Sequence, residues 1–128
     1  MDQLNGRVIY PGNVSGRVLK SELPIGFFGH VDDETGKIKE KGHPLYGNCI
    51  SNTILVFPYA KGSTVGSYIL YSLKKKNLAP AALVLEQCEI IVAVGAIISE
   101  IPTLDDVNIS ALHSGDNVHI SGEVIRIE

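Results

Sequence analysis

The chain contains little cysteine and no long apolar run. Its two cysteines, Cys49 and Cys88, are far apart and form no Cys-x-x-Cys pair. They therefore predict neither a metal site nor a disulfide framework, and we expect buried or inactive thiols. The apolar runs stay well short of the ~20 residues that a membrane-spanning helix needs, and the N-terminus shows no export or lipidation pattern. These absences predict a cytoplasmic protein without a membrane interaction.

An excess of charge of either sign is also missing. The 128 residues carry a formal net charge of −3, and the charged side chains are scattered. Nucleic acid is therefore a poor candidate ligand, because no basic stripe is available to follow phosphates. The hydrophobic share of 45% argues against disorder. The length fits one domain, residues 1–128, which can bury a core without disulfides or a metal.

A strand, a turn and a helix are predicted in the middle of the chain. The apolar residues 53–57 read as a strand, and Pro58 ends it. Val65, Ile69 and Leu73 then recur at helical spacing.

The connection between this strand and this helix has the composition of an anion site. Ser63 is placed to cap the helix, and Gly62 lets a ligand approach the main chain. Thr64 and Ser67 add hydroxyl groups, while Lys61 adds a mobile positive charge. Negative charge is favoured at such a helix start. The competing interpretation is that Ser63 only caps the helix and that Lys61 is a solvated surface residue. The glycine spacing of this segment matches neither a P-loop nor a dinucleotide-binding motif.

The remaining segments are mainly predicted strands. Arg7–Tyr10 and residues 14–19 read as a hairpin around Pro11-Gly12-Asn13, and Ala82–Leu85 and residues 90–94 read as buried strands. Residues 95–101 fit helix or strand, and residues 118–120 and Val124–Ile127 form a last extended pair. The pattern predicts a β-rich α/β domain with a barrel-like or sandwich centre.

Residues 21–48 form a long segment punctuated by glycine and proline. Loops of this length are often lids, binding loops or partner-docking segments. Its adjacent Phe27 and Phe28 need a cover from this chain or another. His30 and His43 in the same segment are interpreted as solvated loop residues, and His119 as the polar face of a strand. The four histidines show no metal-ligand spacing, so no metal ligand is predicted in this chain.

Several ordered blocks of this sequence resemble the small-subunit family of aconitase X. The blocks are Val31-Asp32 with Glu34-Thr35-Gly36, His43-Pro44-Leu45-Tyr46-Gly47, Leu55-Val56-Phe57-Pro58-Tyr59, Gly62-Ser63-Thr64-Val65-Gly66-Ser67-Tyr68, Ala79-Pro80-Ala81-Ala82 and Ala93-Val94-Gly95-Ala96-Ile97-Ile98. They span most of residues 27–102, and the short chain resembles the stand-alone archaeal form of the family.

The resemblance implies a swivelling β/β/α domain that pairs with a larger catalytic subunit. That partner would carry an iron–sulfur cluster, expected to be of the 4Fe–4S type, and this chain would bind no cofactor alone. The implied reaction is the dehydration of (R)-5-phosphomevalonate to trans-anhydromevalonate 5-phosphate in isoprenoid synthesis. Ser63 would be the proton acceptor, and Gly62, Thr64, Ser67 and Lys61 would contact the phosphorylated substrate.

Two other functions remain open at this point. The first is a related dehydratase that acts on another hydroxy acid or on a hydroxyproline. The second is a non-catalytic regulatory subunit whose Ser63 segment only holds an anion. A phosphohistidine carrier is disfavoured because residues 62–68 contain no histidine.

Overall fold

The computed structural model describes residues 2–61 and 65–128. Within these ranges the elements follow in the order β1 Asp2–Asn5, β2 Arg7–Tyr10, β3 Asn13–Lys20, α1 Phe27–His30, β4 Ile54–Phe57, α2 Val65–Lys75, β5 Ala82–Leu85, α3 Ile90–Ile98, β6 Thr103–Asp105, a 3₁₀ turn Ile109–Ala111, β7 Asn117–Ser121 and β8 Val124–Ile127. α1 is a single distorted turn, since Gly29 within it has a φ of 101°.

The strands form one mixed sheet in the order β1-β8-β7-β3-β4-β5-β6-β2. The central strands β3, β4, β5 and β6 are parallel to one another. The outer pairs β1–β8, β8–β7, β7–β3 and β6–β2 are antiparallel. The helices α2 and α3 connect parallel strands, which is the usual use of a helix in such a crossover.

Gly6 brings the two ends of this sheet together. It is the single residue between β1 and β2, which lie at opposite ends of the strand order. The Gly6 amide donates to the carbonyl of Glu123 at 2.9 Å. A Cβ on Gly6 would lie 2.9 Å from the carbonyl oxygen of Asp105 and 2.7 Å from Val107 Cγ2. Only glycine fits this close approach, and the sheet therefore curls into a nearly closed barrel.

The central strands separate two hydrophobic clusters. All side chains of β4 and β5 are buried, as expected for parallel strands covered on both faces. Leu55, Phe57, Leu83 and Leu85 join the cluster under the helices, whereas Ile54, Val56, Ala82 and Val84 join the cluster inside the barrel. This arrangement confirms the β-rich α/β class with a barrel-like centre.

An ion pair between the exposed Arg7 and the buried Asp105 holds β2 against β6. Arg7 donates from Nε and Nη2 to the two carboxylate oxygens of Asp105, both at 2.8 Å. The Asp105 side chain is buried, and it also accepts from the Cys88 amide at 3.0 Å. Burial alone would raise the pKa of Asp105, but the Arg7 and Cys88 hydrogen bonds outweigh it and hold that pKa below its usual value.

The predicted hairpin between β2 and β3 is wrong. β2 pairs with β6, and β3 pairs with β7 and β4. The Arg7–Asp105 pair and the contact of Gly12 with Pro102 draw β2 toward β6 instead.

The predicted strand at residues 90–94 is also wrong, because this segment opens helix α3. Val92, Gly95 and Ala96 are buried at helical spacing. Apolar residues also occupy the outer positions, so the run has no polar period that would reveal a helix. The other predicted strands and the helix after residue 64 are confirmed.

None of the helices in the described part of the chain is both long enough and apolar enough to cross a membrane.

Candidate active site

The candidate site lies where the parallel strands end. β4 runs to Phe57, and α2 begins at Val65. β5 runs to Leu85, and α3 begins at Ile90. Because β4 and β5 are parallel, both connections leave the same edge of the sheet. In α/β barrels as in open α/β sheets, ligands bind at the carboxyl ends of the parallel strands, so the geometry favours a site here.

The predicted strand before the serine-containing segment and the predicted helix after it are confirmed. Gly62, Ser63 and Thr64 themselves lie outside the described residues. Their roles as proton acceptor and substrate contacts therefore stay predictions.

The segment that leads into Ser63 is fixed by the long loop. The Ile25 amide donates to Tyr59 O at 3.3 Å, and the Lys61 amide donates to Ile25 O at 3.1 Å. A Cβ on Gly26 would lie 2.9 Å from the Lys61 carbonyl oxygen, so the two backbones pass very close together. Ala60 is buried between them, while Lys61 is exposed. The loop thus orients the backbone at Lys61 and leaves its ammonium group free to move.

Ser67 connects the two helices that start at this edge. Its Oγ donates to the carbonyl of Ile91 at 2.6 Å. Opposite it, a Cβ on Gly95 would lie 3.0 Å from Ser67 Cα, so α2 and α3 are in close contact here. The hydroxyl proton of Ser67 is used within the fold. A direct substrate contact of Ser67 stays a prediction, and the structure favours a role in shaping the pocket.

The long loop contributes a cleft beside Lys61 that contains several charged and histidine side chains. The cleft has a volume of about 400 Å³, and its lining includes Leu23, Pro24, His30, Glu40, His43 and Lys61. The predicted cover for Phe27 is found, because Phe27 is buried with its ring centroid 6.0 Å from that of Phe57. Phe28 is exposed.

His43 is buried, which corrects its interpretation as a solvated loop residue. Its Nδ1 accepts from the Leu45 amide at 3.0 Å, so a neutral ring carries its proton on Nε2. Nε2 lies 3.3 Å from the Pro24 carbonyl oxygen and donates to it. Buried between two backbone groups, His43 holds the loop together. The Gly- and Pro-rich composition of the loop concealed this role from sequence reasoning.

His30 is half-buried and faces the cleft. Its Nδ1 accepts from the Gly26 amide at 2.9 Å, and its Nε2 lies 3.9 Å from Glu40 Oε2. Burial lowers the pKa of His30, and the Lys61 charge lowers it further, while Glu40 raises it and His43 lowers it. The ring is therefore neutral at pH 7 and presents an Nε2–H donor to the cleft.

We expect two variants to move the pKa of His30 in opposite directions. Lys61→Met removes a positive charge and raises it, whereas Glu40→Gln removes a negative charge and lowers it. Imidazole nitrogen chemical shifts, followed by NMR between pH 4 and 8, measure both midpoints. Identical midpoints in the two variants would show that Lys61 and Glu40 do not face this ring.

Glu89 is a candidate active-site residue that the sequence analysis did not identify. It precedes α3 in extended conformation without capping it through its side chain. It lines a small hollow together with Ile91 and with Lys61 and Gly66, which stand on either side of the Ser63 segment in the sequence. In the sequence it looked like part of a polar linker, and only the parallel pairing of β4 and β5 brings it to this edge.

The two cysteines differ in their environment. Cys49 is exposed and Cys88 is half-buried. Burial, followed by the charge of Asp105, raises the pKa of Cys88 to about 11. Iron–sulfur clusters are held mainly by sets of four thiolates, and this chain has two cysteines in all. Among residues 2–61 and 65–128, no three His, Cys, Asp or Glu side chains come together as a metal site. The residues of this chain therefore do not fit such a cluster.

We expect the two thiols to differ in their rates of alkylation. At pH 8 a thiol with a pKa near 11 is about one-thousandth thiolate, and the thiolate is the reactive form. We expect iodoacetamide to modify Cys49 at least about tenfold faster than Cys88. Peptide mass spectrometry of a time course measures both rates, and urea-unfolded chain provides the control in which the rates converge. Equal rates in the folded chain would contradict the assigned environment of Cys88.

The architecture defines a swivelling domain of the aconitase type. At 14% identity, 3-isopropylmalate dehydratase LeuD from Methanocaldococcus jannaschii shares this fold with a TM-score of 0.62. The solved structure of Thermococcus kodakaraensis aconitase X in its holo-form superimposes with a TM-score of 0.98 at 44% identity, over 100% of this chain and 99% of that one.

Sequence comparison narrows the class to one family. The family described as aconitase X swivel domain matches residues 3–128. A relative from Thermococcus kodakarensis called phosphomevalonate dehydratase small subunit is 47% identical over 129 residues, which cover 98% of this chain and 97% of the relative. A protein of the same name from Methanococcoides burtonii is 49% identical over 117 residues, which cover 89% and 85%. The chain belongs to the aconitase X swivel domain family.

Proposed function

We propose that this chain is the small subunit of a heteromeric dehydratase that converts (R)-5-phosphomevalonate to trans-anhydromevalonate 5-phosphate. The observation that carries the proposal is the match over 98% of the chain to a relative named for this activity. The site described above supports it independently. The Ser63 segment leaves the carboxyl edge of a parallel sheet and leads directly into α2, which is where this fold class binds small ligands.

In the proposed reaction Ser63 accepts the proton that leaves a substrate carbon. A serine hydroxyl is a weak base at its ordinary pKa, so its deprotonated form needs a positive surround. The positive end of the α2 helix dipole and the ammonium group of Lys61 supply one. Gly62 and Thr64 complete the pocket, and Ser67 positions α2 against α3.

The neutral His30 supports binding of the phosphorylated substrate. Its Nε2–H opens into the cleft that Lys61 also lines. The His30 N–H and the Lys61 ammonium group, both in this cleft, can donate hydrogen bonds to an anionic group of the substrate.

The other half of the active site belongs to a large subunit. The names of the relatives describe small subunits, so a larger companion chain is part of the assembly. We assign the iron–sulfur cluster of the enzyme to that companion, because this chain lacks the thiolates to hold one. The cluster would act as a Lewis acid when bound.

The test is an anaerobic assay of the purified, cluster-loaded complex of the two subunits. We expect turnover with (R)-5-phosphomevalonate, and none with either subunit alone. Parallel assays with hydroxyprolines and with non-phosphorylated mevalonate provide the comparison. Turnover of a hydroxyproline in place of phosphomevalonate would favour the related dehydratase. If the complex binds the substrates but forms no product from any of them, the result would favour a regulatory subunit.

A further inference from the structure

Helices α2 and α3 present an apolar groove to solvent. The groove has a volume of about 550 Å³, and its walls include Tyr68, Tyr71, Ile90, Val94 and Ile98. Tyr68 is 73% exposed, Ile90 81% and Ile98 60%. Among the described residues, no charged side chain lines it. Isolated exposed apolar residues are ordinary, but a contiguous patch of this kind marks an interaction site.

The composition of α3 points the same way. Its nine residues, Ile-Ile-Val-Ala-Val-Gly-Ala-Ile-Ile, include no polar side chain. Only Val92, Gly95 and Ala96 are buried within the chain, so the outward face is apolar as well. A surface helix of a free-standing protein carries polar residues on its outer face. A helix that is apolar all round is normally covered on every side. Residues 2–61 and 65–128 leave Ile90, Val94 and Ile98 on the outer face of α3 exposed.

The groove is also held in a fixed shape. The Ser67–Ile91 hydrogen bond and the close approach of Gly95 to Ser67 lock the two helices together at the floor of the groove. Binding to such a surface requires little ordering of the backbone, which lowers the entropic cost of association.

We infer that this α2–α3 groove is the docking surface for the large subunit. The inference rests on the proposed function, in which the active site is shared between two chains. α2 begins at Val65, directly after the segment that contains Ser63. A companion chain that reaches Ser63 therefore meets the first turns of α2 in the same approach.

The side chains of the groove and its rim indicate which kind of large-subunit segment would bind there. A specific interface has an apolar centre and a polar rim. Here the centre is aromatic and aliphatic, and the rim at the C-terminal end of α2 is basic. Lys75 Nζ lies 5.3 Å from the centroid of the Tyr71 ring. The matching element of the large subunit is an apolar helix or loop flanked by acidic side chains.

Hydrogen–deuterium exchange tests this location in the native complex. Amides of Val65–Lys75 and Ile90–Ile98 should exchange at least about tenfold more slowly in the complex than in the free small subunit. Amides of β7 and β8, in the antiparallel part of the sheet, serve as the internal control and should change little. Protection confined to other segments would overturn the inference.

Matched substitutions test the energetics. Ile90→Lys and Ile98→Lys place a charge in the groove, and Ile90→Met and Ile98→Met keep it apolar at similar length. We expect each lysine variant to weaken association with the large subunit at least about tenfold, and each methionine variant less than about threefold. Because both positions are exposed, all four variants should keep the far-UV circular dichroism spectrum of the parent. Lysine variants that fold and bind the large subunit normally would refute the inference.

The outcomes separate this inference from the proposed function. If the unchanged chain does not bind an aconitase X large subunit at all, the proposed function itself fails. If it binds and supports turnover while the lysine variants assemble normally, only the location of the docking surface fails. A parent chain that dimerises, and whose lysine variants become monomeric without weaker binding to the large subunit, would assign the groove to a second copy instead.

Discussion

Replacing Ser63 by alanine in the assembled enzyme should lower kcat for phosphomevalonate by at least about a hundredfold. The expectation follows from the contribution of a positioned general base, about 10²- to 10⁴-fold. The assembly should persist, because the proposed docking surface lies on the outer faces of α2 and α3. Substrate affinity should change little, since a base acts mainly in the transition state. Steady-state kinetics and equilibrium binding of the substrate to the variant complex measure these effects separately.

Ser110→Ala is a suitable control for this experiment. Ser110 is an exposed serine on the 3₁₀ turn, where its hydroxyl donates to Asn108 Oδ1 at 2.6 Å. Its removal should leave kcat unchanged. Near-normal turnover in the Ser63 variant would reject the assignment of the base. A large loss of substrate affinity with kcat preserved would instead assign Ser63 to anion binding.

Asp105→Ala should be the most destabilising single change outside the hydrophobic core. The substitution leaves the Cys88 amide without its acceptor and releases Arg7 from β6. Loss of a charged hydrogen-bond acceptor at a buried position costs about 2 kcal/mol in the free energy of unfolding. For a domain of this size that corresponds to a decrease in Tm of about 5–10 °C. Thermal unfolding followed by circular dichroism measures the effect.

The same carboxylate should make stability sensitive to acid. The pKa of Asp105 is lower in the folded chain than the ordinary value of 3.8. The unfolded chain therefore binds this proton first as the pH falls, and the stabilisation is present above about pH 4 and disappears below it. Asp105→Asn, which cannot ionise, should show a flatter decline in stability below pH 4 than the parent chain. Parallel declines in the two proteins would show that other carboxylates dominate.

Local sequence patterns were sufficient to predict the strands and helices that bury either one distinct face or both faces. β4 and β5 are continuous apolar runs of four residues. α2 buries Leu70 and Leu73 and ends in the exposed Lys74 and Lys75. The failures have physical causes. α3 lacks a polar face because its outward residues form the apolar groove, so its helical period is invisible in the sequence. β1 is a short strand at the edge of the sheet and β6 is an interior strand of three residues, and both are defined by their partners rather than by their own composition.

The candidate site could be predicted only in part. The Gly62-Ser63-Thr64 motif is local and visible in the sequence, and the family resemblance gave it a role. His43, Glu89 and Asp105 carry no local signal. His43 and Asp105 are defined by contacts to residues distant in the chain, Pro24 and Arg7 respectively. Glu89 reaches the site only through the parallel pairing of β4 with β5. Electrostatic and hydrogen-bond partners of this kind become apparent only when the sheet order is known.

The position of Gly6 between the two ends of the sheet has a consequence for biosynthesis. The strands on either side of it, β1 and β2, pair with β8 and β6. Those partners lie about a hundred residues downstream, so the N-terminal strands leave the ribosome long before they can pair. The contacts that close the barrel are therefore the most distant in sequence, and such contacts slow folding. β1 and β2 can therefore take their places in the sheet only after β8 and β6 have been synthesised.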